Sequence, residues 1–305
     1  MFESIAADKR SSATELVKRA AGELAEAIER IDAQDPGSFW NELLDLSSEL
    51  AWAQRDMAPF LNLASAVLAA AERGVLSGGP VDAVAGAAIS AAAEVWEFTD
   101  RNTELVATEA ERALPPCSTA ATLSSSAAVE ATLARMASRN VGVLVAESLP
   151  ALEGAELARR LQETGLEATI VPDAEFPDHV GSSDVVLLGA DAVTEQSFIN
   201  KVGSLAAATA AQKAGVSLYV LAQKSKIIPS ALVRTTRSAD VSDGPAVRET
   251  DGGVISPLFE SVPINLVRAV ITEDGPVRPD ALEALLRGRP VSPAMLDILF
   301  RRAPR

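Results

Sequence analysis

The fold is decided by residues 184–229, which read DVVLLGADAVTEQSFINKVGSLAAATAAQKAGVSLYVLAQKSKIIP. This stretch opens with a short apolar run ending at Leu188, and such a run is typical of a strand buried on both faces. An alanine-rich helix is predicted over about 205–214, where Gly215 closes it, and a second buried strand over 216–222. Two strands joined by a crossover helix form the repeating unit of a parallel sheet, so the stretch predicts an α/β fold.

Polar side chains follow these strands at the points where the strands end. Asp191 comes just after the first strand, Asn200 and Lys201 precede the helix, and Lys226 follows the second strand. Because ligands bind at the carboxyl ends of strands in an open α/β sheet, Lys201 and the free amides at the helix start are predicted to bind an anion. The amides concerned are those of Val202, Gly203 and Ser204. The alternative for Asp191 and Asn200 is that their side chains tie the crossover loop together by hydrogen bonds to the backbone.

Composition limits the classes of function that the chain can have. The 305 residues are 48% hydrophobic and carry a formal net charge of −15, so the chain has enough apolar residues for a core, and binding to nucleic acid is not expected. The sequence has no unbroken apolar run of about 18 residues, so no membrane span is predicted. It shows no export signal and has a single cysteine, so a cytoplasmic location is predicted. The chain has one histidine, His179, and no P-loop or dinucleotide fingerprint, so neither a metal nor a cofactor is predicted. His179 itself is predicted to lie in a surface loop.

The distribution of lysine favours an anionic ligand. Four of the six lysines lie within residues 184–229, in a protein that is otherwise acidic. These four are Lys201, Lys213, Lys224 and Lys226. The alternatives are that the four survived by chance and that Lys224 is simply solvated.

Residues 1–114 are predicted to form a helical bundle domain. Helices are expected over 11–31, 39–52, 59–74 and 81–114, with a loop at 35–38. Three tryptophans are predicted to lie in the core. They are Trp40, Trp52 and Trp96.

Residues 115–305 are predicted to form a Rossmann-like domain with a helical tail, and the domain boundary is expected at Pro115-Pro116. Its predicted strands include 117–123, 141–146 and 166–171, alternating with helices over 127–138 and 153–164. Residues 259–275 are expected to form a loop, a helix from Ile264 and a final loop, and 280–305 one or two short helices. The fold predicted for the whole chain is an N-terminal helical bundle followed by a mostly parallel sheet with helices on both faces.

Several motifs, taken in their order along the chain, resemble a known family. They are GADAV at 189–193, NKVGS at 200–204, ITEDG at 271–275 and ESLPALEG at 147–154. The chain resembles, over roughly 46–279, the family that unites the alpha, beta and delta subunits of translation initiation factor 2B with ribose-1,5-bisphosphate isomerases and methylthioribose-1-phosphate isomerases. The resemblance implies a homodimer or larger homo-oligomer built through the sheet domain, and a possible protein partner.

The resemblance also implies where isomerase chemistry would reside. The family enzymes use a cysteine after the first strand and an aspartate after the fourth. Asp191 matches the aspartate, but the best match to the cysteine is Ser124, a much weaker acid than a thiol, with no histidine nearby in sequence. Cys117 comes too early in the chain and is predicted to be a small buried hydrophobe. Leu149 stands where the family's sugar-phosphate binders tend to carry arginine, and the loop at 194–198 is shorter than usual.

Three hypotheses follow from these features. The first is a non-catalytic, initiation factor 2B subunit-like regulatory protein that binds a sugar phosphate or nucleotide. The second is an aldose–ketose isomerase acting on a ribose-1-phosphate-type sugar, with Asp191 and Ser124 as its catalytic residues. The third is an assembly protein with a vestigial pocket. The predicted ligand-binding residues are Ser125, Ser126, Asn200, Lys201, Gly203, Ser204 and Lys226.

Overall fold

The computed structural model describes residues 1–8, 11–54, 56–236, 258–288 and 291–301. The chain divides into two compact units. The helical unit comprises Met1–Arg101, Ala231–Ser238 and Leu286–Arg305, and the sheet unit comprises Asn102–Ser230 and Ala239–Leu285. The division into domains at residues 114 and 115 stays a prediction, because one long helix contributes residues to both units. A turn predicted at Asp251-Gly252-Gly253 lies outside the described residues.

The helical unit is built mainly from the first five helices of the chain. These are α1 (Glu3–Ala7), α2 (Ala13–Glu29), α3 (Pro36–Ala53), α4 (Ala58–Leu76) and α5 (Val81–Ala113). Ser12 and Glu15 form a reciprocal capping box at the start of α2, where each side chain accepts a hydrogen bond from the other residue's backbone amide. In the described part of the chain, every helix is too short or too polar to cross a membrane.

Two predictions for the helical unit are wrong. The loop predicted at 35–38 is instead the cap and first turn of α3, because the Asp35 carboxylate accepts hydrogen bonds from the amides of Gly37 and Ser38 and because Pro36 suits the first helical position. Trp96 is not in the core, since 52% of it is exposed. Its ring lies 5.2 Å from Nζ of Lys18, a cation–π contact on the surface of the unit. The other two tryptophans are half-buried.

The sheet unit contains a seven-stranded, mostly parallel sheet. In chain order its strands are β1 (Thr119–Leu123), β2 (Gly142–Ala146), β3 (Glu167–Val171), β4 (Val185–Leu188), β7 (Ser217–Leu221), β9 (Ala269–Thr272) and β10 (Gly275–Val277). Their spatial order is β10-β9-β7-β4-β1-β2-β3, and in this sheet only β10, paired with β9, runs antiparallel to its neighbour. The central strand β4 is buried at all four residues, as a strand covered on both faces must be. The predicted α/β fold is confirmed.

Helices connect these strands. They are α6 (Ala127–Met136), α7 (Glu153–Glu163), α8 (Phe176–Val180) and α9 (Ser204–Ala214), and all of them except α8 were predicted from the alternating pattern. The last of them ends at Gly215, whose φ of 74° is in the left-handed region that favours glycine. Among the described residues, three further α-helices follow β7, namely α10 (Ser230–Thr236), α11 (Leu282–Arg287) and α12 (Pro293–Arg301), and the last two agree with the short helices predicted for the tail.

A second, three-stranded antiparallel sheet was not predicted. It consists of β5 (Ala192–Val193), β6 (Ser197–Lys201) and β8 (Phe259–Pro263), in the order β5-β6-β8. The prediction of a loop and a helix over 259–275 is wrong, because this segment forms β8, a single 3₁₀ turn at Ile264–Leu266, and β9. β9 is buried at all four residues, and the periodicity of so short an apolar run cannot distinguish a buried strand from a buried helix.

Candidate functional site at the carboxyl ends of the strands

The loops after β1 and β4 lie against each other at one edge of the main sheet. β1 and β4 are neighbouring parallel strands, so Ser124 and Asp191 both follow strand ends at this edge. The first residue after β4 is Gly189, and a Cβ atom there would lie 2.6 Å from both Cβ and Oγ of Ser126. Only glycine permits this approach, which brings the serine loop directly onto the loop that carries Asp191.

Side-chain hydrogen bonds to the backbone fix the loops after β1 and β2. The amide of Ser124 donates to Oγ of Ser148 at 2.7 Å, and that hydroxyl donates to the carbonyl of Ala146 at 3.0 Å. The carboxylate of Asp173 accepts from the amides of Ser148 and Leu149 at 2.8 and 2.7 Å. The backbone around Ser124 is therefore held in place by three successive strand ends.

Positive φ angles concentrate in these same loops. Among the described residues, four non-glycine residues have positive φ, and three of them are Ser124 at 62°, Ser148 at 63° and Leu152 at 61°. A non-glycine residue in this region costs roughly 1–2 kcal/mol. Such a concentration of strained residues is typical of a functional loop cluster.

Lys201 is buried and pairs with a carboxylate that the sequence analysis did not identify as its partner. Only 4% of Lys201 is exposed, and its Nζ lies 2.5 Å from Oε1 of Glu153, the first residue of α7. The hydroxyl of Ser124 donates to the same oxygen at 3.3 Å. The other oxygen, Oε2, is buried and has no hydrogen-bond partner in the described part of the chain. The charge of Lys201 is thus neutralised within the protein.

The position of Glu153 depends on the glycine that follows it. A Cβ atom on Gly154 would lie 1.9 Å from the carbonyl oxygen of Ala146, at the end of β2. Because residue 154 has no side chain, the first turn of α7 packs directly on this strand end. In the sequence, the Glu153-Gly154 pair that ends the 147–154 motif could have indicated that a glutamate side chain lies at this strand end.

Two of the three amides predicted to be free at the start of α9, those of Val202 and Gly203, are occupied, which corrects the prediction for them. Val202 donates to the carbonyl of Leu258 at 2.8 Å, and Gly203 and Leu205 both donate to Oε1 of Glu260 at 2.8 Å. Glu260 comes from β8, where it pairs in register with Asn200 of β6. An acidic side chain is favourable at a helix N-terminus, so Glu260 takes the place expected for an external anion.

Asn200 and Ser204 hold the crossover loop. The amide of Asn200 donates to Oγ of Ser204 at 2.9 Å, and that hydroxyl donates to the carbonyl of Lys201 at 2.6 Å. Both Asn200 and Ser204 are buried. The Asn200 side chain is thus linked to the backbone of the loop through the side chain of Ser204, and its predicted role in ligand binding stays a prediction.

Lys226 follows β7 at the same edge and interacts electrostatically with Asp191. It is 7% exposed, and burial lowers the pKa of its ammonium group, while the negative charge of Asp191 acts in the opposite direction. Asp191 is half-buried and its backbone amide donates to Ile199 at 2.8 Å. Lys224 forms an ion pair with Asp274 and is only partly exposed, so the alternative that its side chain is simply solvated is wrong.

Ser125 contacts an arginine that the sequence analysis missed. Nη2 of Arg160, on α7, donates to Oγ of Ser125 at 2.9 Å. The same guanidinium group binds Glu130 through two hydrogen bonds of 2.7 and 2.8 Å, so its charge is also neutralised. Nothing in the spacing along the chain indicated this contact, since the two residues lie on different elements.

Two further residues were predicted to have no chemical role. Cys117 is half-buried ahead of β1, at the opposite end of that strand from Ser124, and burial raises the pKa of its thiol. His179 is exposed as predicted, but it lies in helix α8 rather than in a loop.

The fold and this edge define a class of protein with a helical unit and a Rossmann-like sheet unit whose strand ends form a polar, ion-paired site. Residues 9–279 match the Initiation factor 2 subunit family, and the chain belongs to that family. The family resemblance seen in the sequence motifs is confirmed.

Two curated relatives and one solved structure show what the chain is similar to. It is 28% identical over 312 residues to the ribose 1,5-bisphosphate isomerase of Haloterrigena turkmenica, covering 93% of this chain and 91% of that protein. It is 31% identical over 157 residues to the ribose 1,5-bisphosphate isomerase of Haloferax volcanii, a match that spans about half the length (49%) of each chain. The fold is similar to that of the Pyrococcus horikoshii OT3 translation initiation factor eIF-2B, with a TM-score of 0.74, 22% identity and coverage of 90% of this chain and 94% of that one.

Proposed function

We propose that the chain is a non-catalytic, regulatory member of its family, which binds a phosphorylated small molecule at the carboxyl-end edge of the main sheet. The hydrogen bond from Oγ of Ser124 to Oε1 of Glu153, 3.3 Å long, carries the proposal. A hydroxyl stands where the resemblance places the thiol of the isomerases, and its partner is a carboxylate, which is too weak a base to ionise it. The single histidine of the chain, His179, lies on α8 and is exposed.

The ligand-binding part of the proposal rests on the charged residues of this edge. Lys201 and Lys226 are buried near strand ends where α/β sheets bind ligands, and Asp191, which follows the end of β4, is proposed to accept a hydrogen bond from a sugar hydroxyl. The remaining residues proposed for the ligand are those of the serine loop and the helix start. They are Ser125, Ser126, Asn200, Gly203 and Ser204. We further propose that the protein acts as a homo-oligomer or through a protein partner.

Isomerase activity is the second candidate, and the near full-length similarity to the Haloterrigena relative favours it. Moving a carbonyl from C1 to C2 of a sugar requires a base that removes the proton from C2 and a proton returned to C1. In this candidate Asp191 transfers the proton and Ser124 replaces the thiol as its partner.

One experiment tests the proposal against this alternative. The purified chain is incubated with ribose 1,5-bisphosphate, methylthioribose 1-phosphate and ribose 5-phosphate, and both ketose formation and thermal shift are followed. We expect a thermal shift with at least one sugar phosphate, without turnover, and loss of the shift in Lys201→Ala. Lys213→Ala, which removes an exposed lysine from α9, is the matched control and should leave the shift unchanged. Turnover that is abolished in Asp191→Asn would instead establish the isomerase.

A further inference from the structure

The two positively charged features predicted to bind phosphate each already hold a carboxylate. Nζ of Lys201 lies 2.5 Å from Glu153, and the amides of Gly203 and Leu205 both donate to Glu260 at 2.8 Å. A phosphate oxygen would seek the same N–H groups. A phosphate group at either feature would therefore compete with a carboxylate of the protein itself.

Lys201, Lys226 and the charged side chains that interact with them or with the start of α9 carry a net negative charge together. Lys201 and Lys226 supply two positive charges, whereas Glu153, Asp191 and Glu260 supply three negative charges. Nearby Arg160 adds nothing to this balance, because its guanidinium group is bound to a carboxylate. Each additional phosphate group on a ligand is therefore increasingly unfavourable, since like charges repel strongly in a partly buried site.

The carboxylate of Glu153 also distinguishes hydrogen-bond donors from acceptors. Its Oε1 accepts from Lys201 and Ser124, whereas Oε2 is buried and accepts from none of the described residues. Leaving such an oxygen unsatisfied is unfavourable, so a donor group beside it would be stabilising. A sugar hydroxyl is such a donor, whereas a phosphate dianion presents acceptor oxygens only.

We infer that Glu153 makes this site select a sugar ligand with a single phosphate group over a sugar bisphosphate. The inference rests on the proposed function, because it names the ligand class of the same site. The carboxylate of Glu153 is ion-paired with the ammonium group of Lys201 and repels a phosphate group at this position. The same carboxylate can accept a hydrogen bond from a sugar hydroxyl. Replacing this carboxylate by an uncharged amide should therefore open the position to a second phosphate.

Calorimetric titration with two matched ligands tests the inference. Ribose 5-phosphate and ribose 1,5-bisphosphate differ by one phosphate group, and each is titrated into the wild-type chain, Glu153→Gln and Glu156→Gln. Glu156 is the matched control, because it lies in the same first turn of α7 but is exposed and pairs with Arg159. We expect the wild type to bind the monophosphate at least about tenfold more tightly, and Glu153→Gln to bind the bisphosphate about tenfold more tightly than the wild type does. Glu156→Gln should change neither affinity by more than about twofold.

The outcomes separate this inference from the proposed function. Equal affinity of the wild type for both sugars, or a bisphosphate affinity that Glu153→Gln leaves unchanged, would overturn the inference alone. If neither sugar binds to any of the three proteins, the proposed function fails together with the inference. The wild-type preference is measured without any variant, so its absence overturns the inference even if Glu153→Gln does not fold.

Discussion

Nζ of Lys201 and Oε1 of Glu153 lie 2.5 Å apart, and this ion pair joins strand β6 of the small sheet to the first turn of helix α7. Both side chains are largely shielded from solvent, so screening by water and salt is weak. Removing one member would leave the other charge buried without its partner, which is more unfavourable than removing both.

The first prediction is that the two residues are energetically coupled. In a double-mutant cycle with Lys201→Met and Glu153→Gln, we expect a coupling free energy of about 0.5–3 kcal/mol, measured by urea unfolding. The exposed pair of Arg159 and Glu156 on the same helix is the control, and its coupling should be clearly smaller. Equal coupling in the two pairs would show that the buried ion pair has no special role.

The second prediction concerns the strained backbone at Leu152. This residue is 46% exposed and has a φ of 61°, so shortening it to glycine removes little packing and relieves the strain of the left-handed conformation. We expect Leu152→Gly to increase the free energy of unfolding by about 1 kcal/mol, because glycine occupies this region without steric cost. Val202→Gly is the comparison, since Val202 is similarly exposed but has no positive φ, and it should lose stability. A Leu152→Gly protein less stable than the wild type would contradict this account.

Much of the fold could be predicted because the ends of several helices are determined by a few residues that are neighbours in the sequence. The pair of Ser12 and Glu15 marks the start of α2, and Gly215 marks the end of α9, at positions where caps are specified by a few neighbouring residues. β9 could not be predicted in this way, because an apolar run that is buried on both faces carries no periodicity to distinguish a strand from a helix.

The candidate site was predictable only in part. The rule that ligands bind at strand ends selected Asp191 and Lys201, and the family motif selected Ser124. The carboxylates that neutralise the site come from distant parts of the chain, namely Glu153 on α7 and Glu260 on β8. Strand β8 was not predicted from the sequence. The sequence therefore did not indicate that Glu260 of this strand accepts hydrogen bonds from the amides at the start of α9.

The third prediction tests the close packing of α7 on the end of β2. Gly154→Ala should lower the free energy of unfolding by about 1–3 kcal/mol or more, because the new Cβ would lie 1.9 Å from the carbonyl oxygen of Ala146. Gly86→Ala is the matched control on α5, where a Cβ atom meets no other atom within 4 Å. That substitution should instead stabilise the chain by up to about 1 kcal/mol, as expected in an exposed helix. Thermal and urea unfolding of both variants measure the difference, and similar effects at the two positions would contradict the packing described here.

The fourth prediction concerns the pH dependence of stability at Lys226. Burial lowers the pKa of this ammonium group, so the folded chain binds the proton less tightly than the unfolded chain, where the pKa is about 10.4. The protonated lysine therefore destabilises the fold fully below its folded-state pKa, and this destabilisation fades as the pH rises towards about 10.4. Lys226→Met should raise the free energy of unfolding at about pH 7 by an amount that shrinks as the pH approaches about 10. Urea unfolding across this range provides the measurement, with Lys213→Met as the exposed-lysine control whose effect should not change with pH. The difference in free energy of unfolding between Lys226→Met and the wild type could instead stay constant over the whole pH range, or the variant could be less stable at neutral pH. Either result would show that Asp191 compensates fully for the burial of the ammonium group.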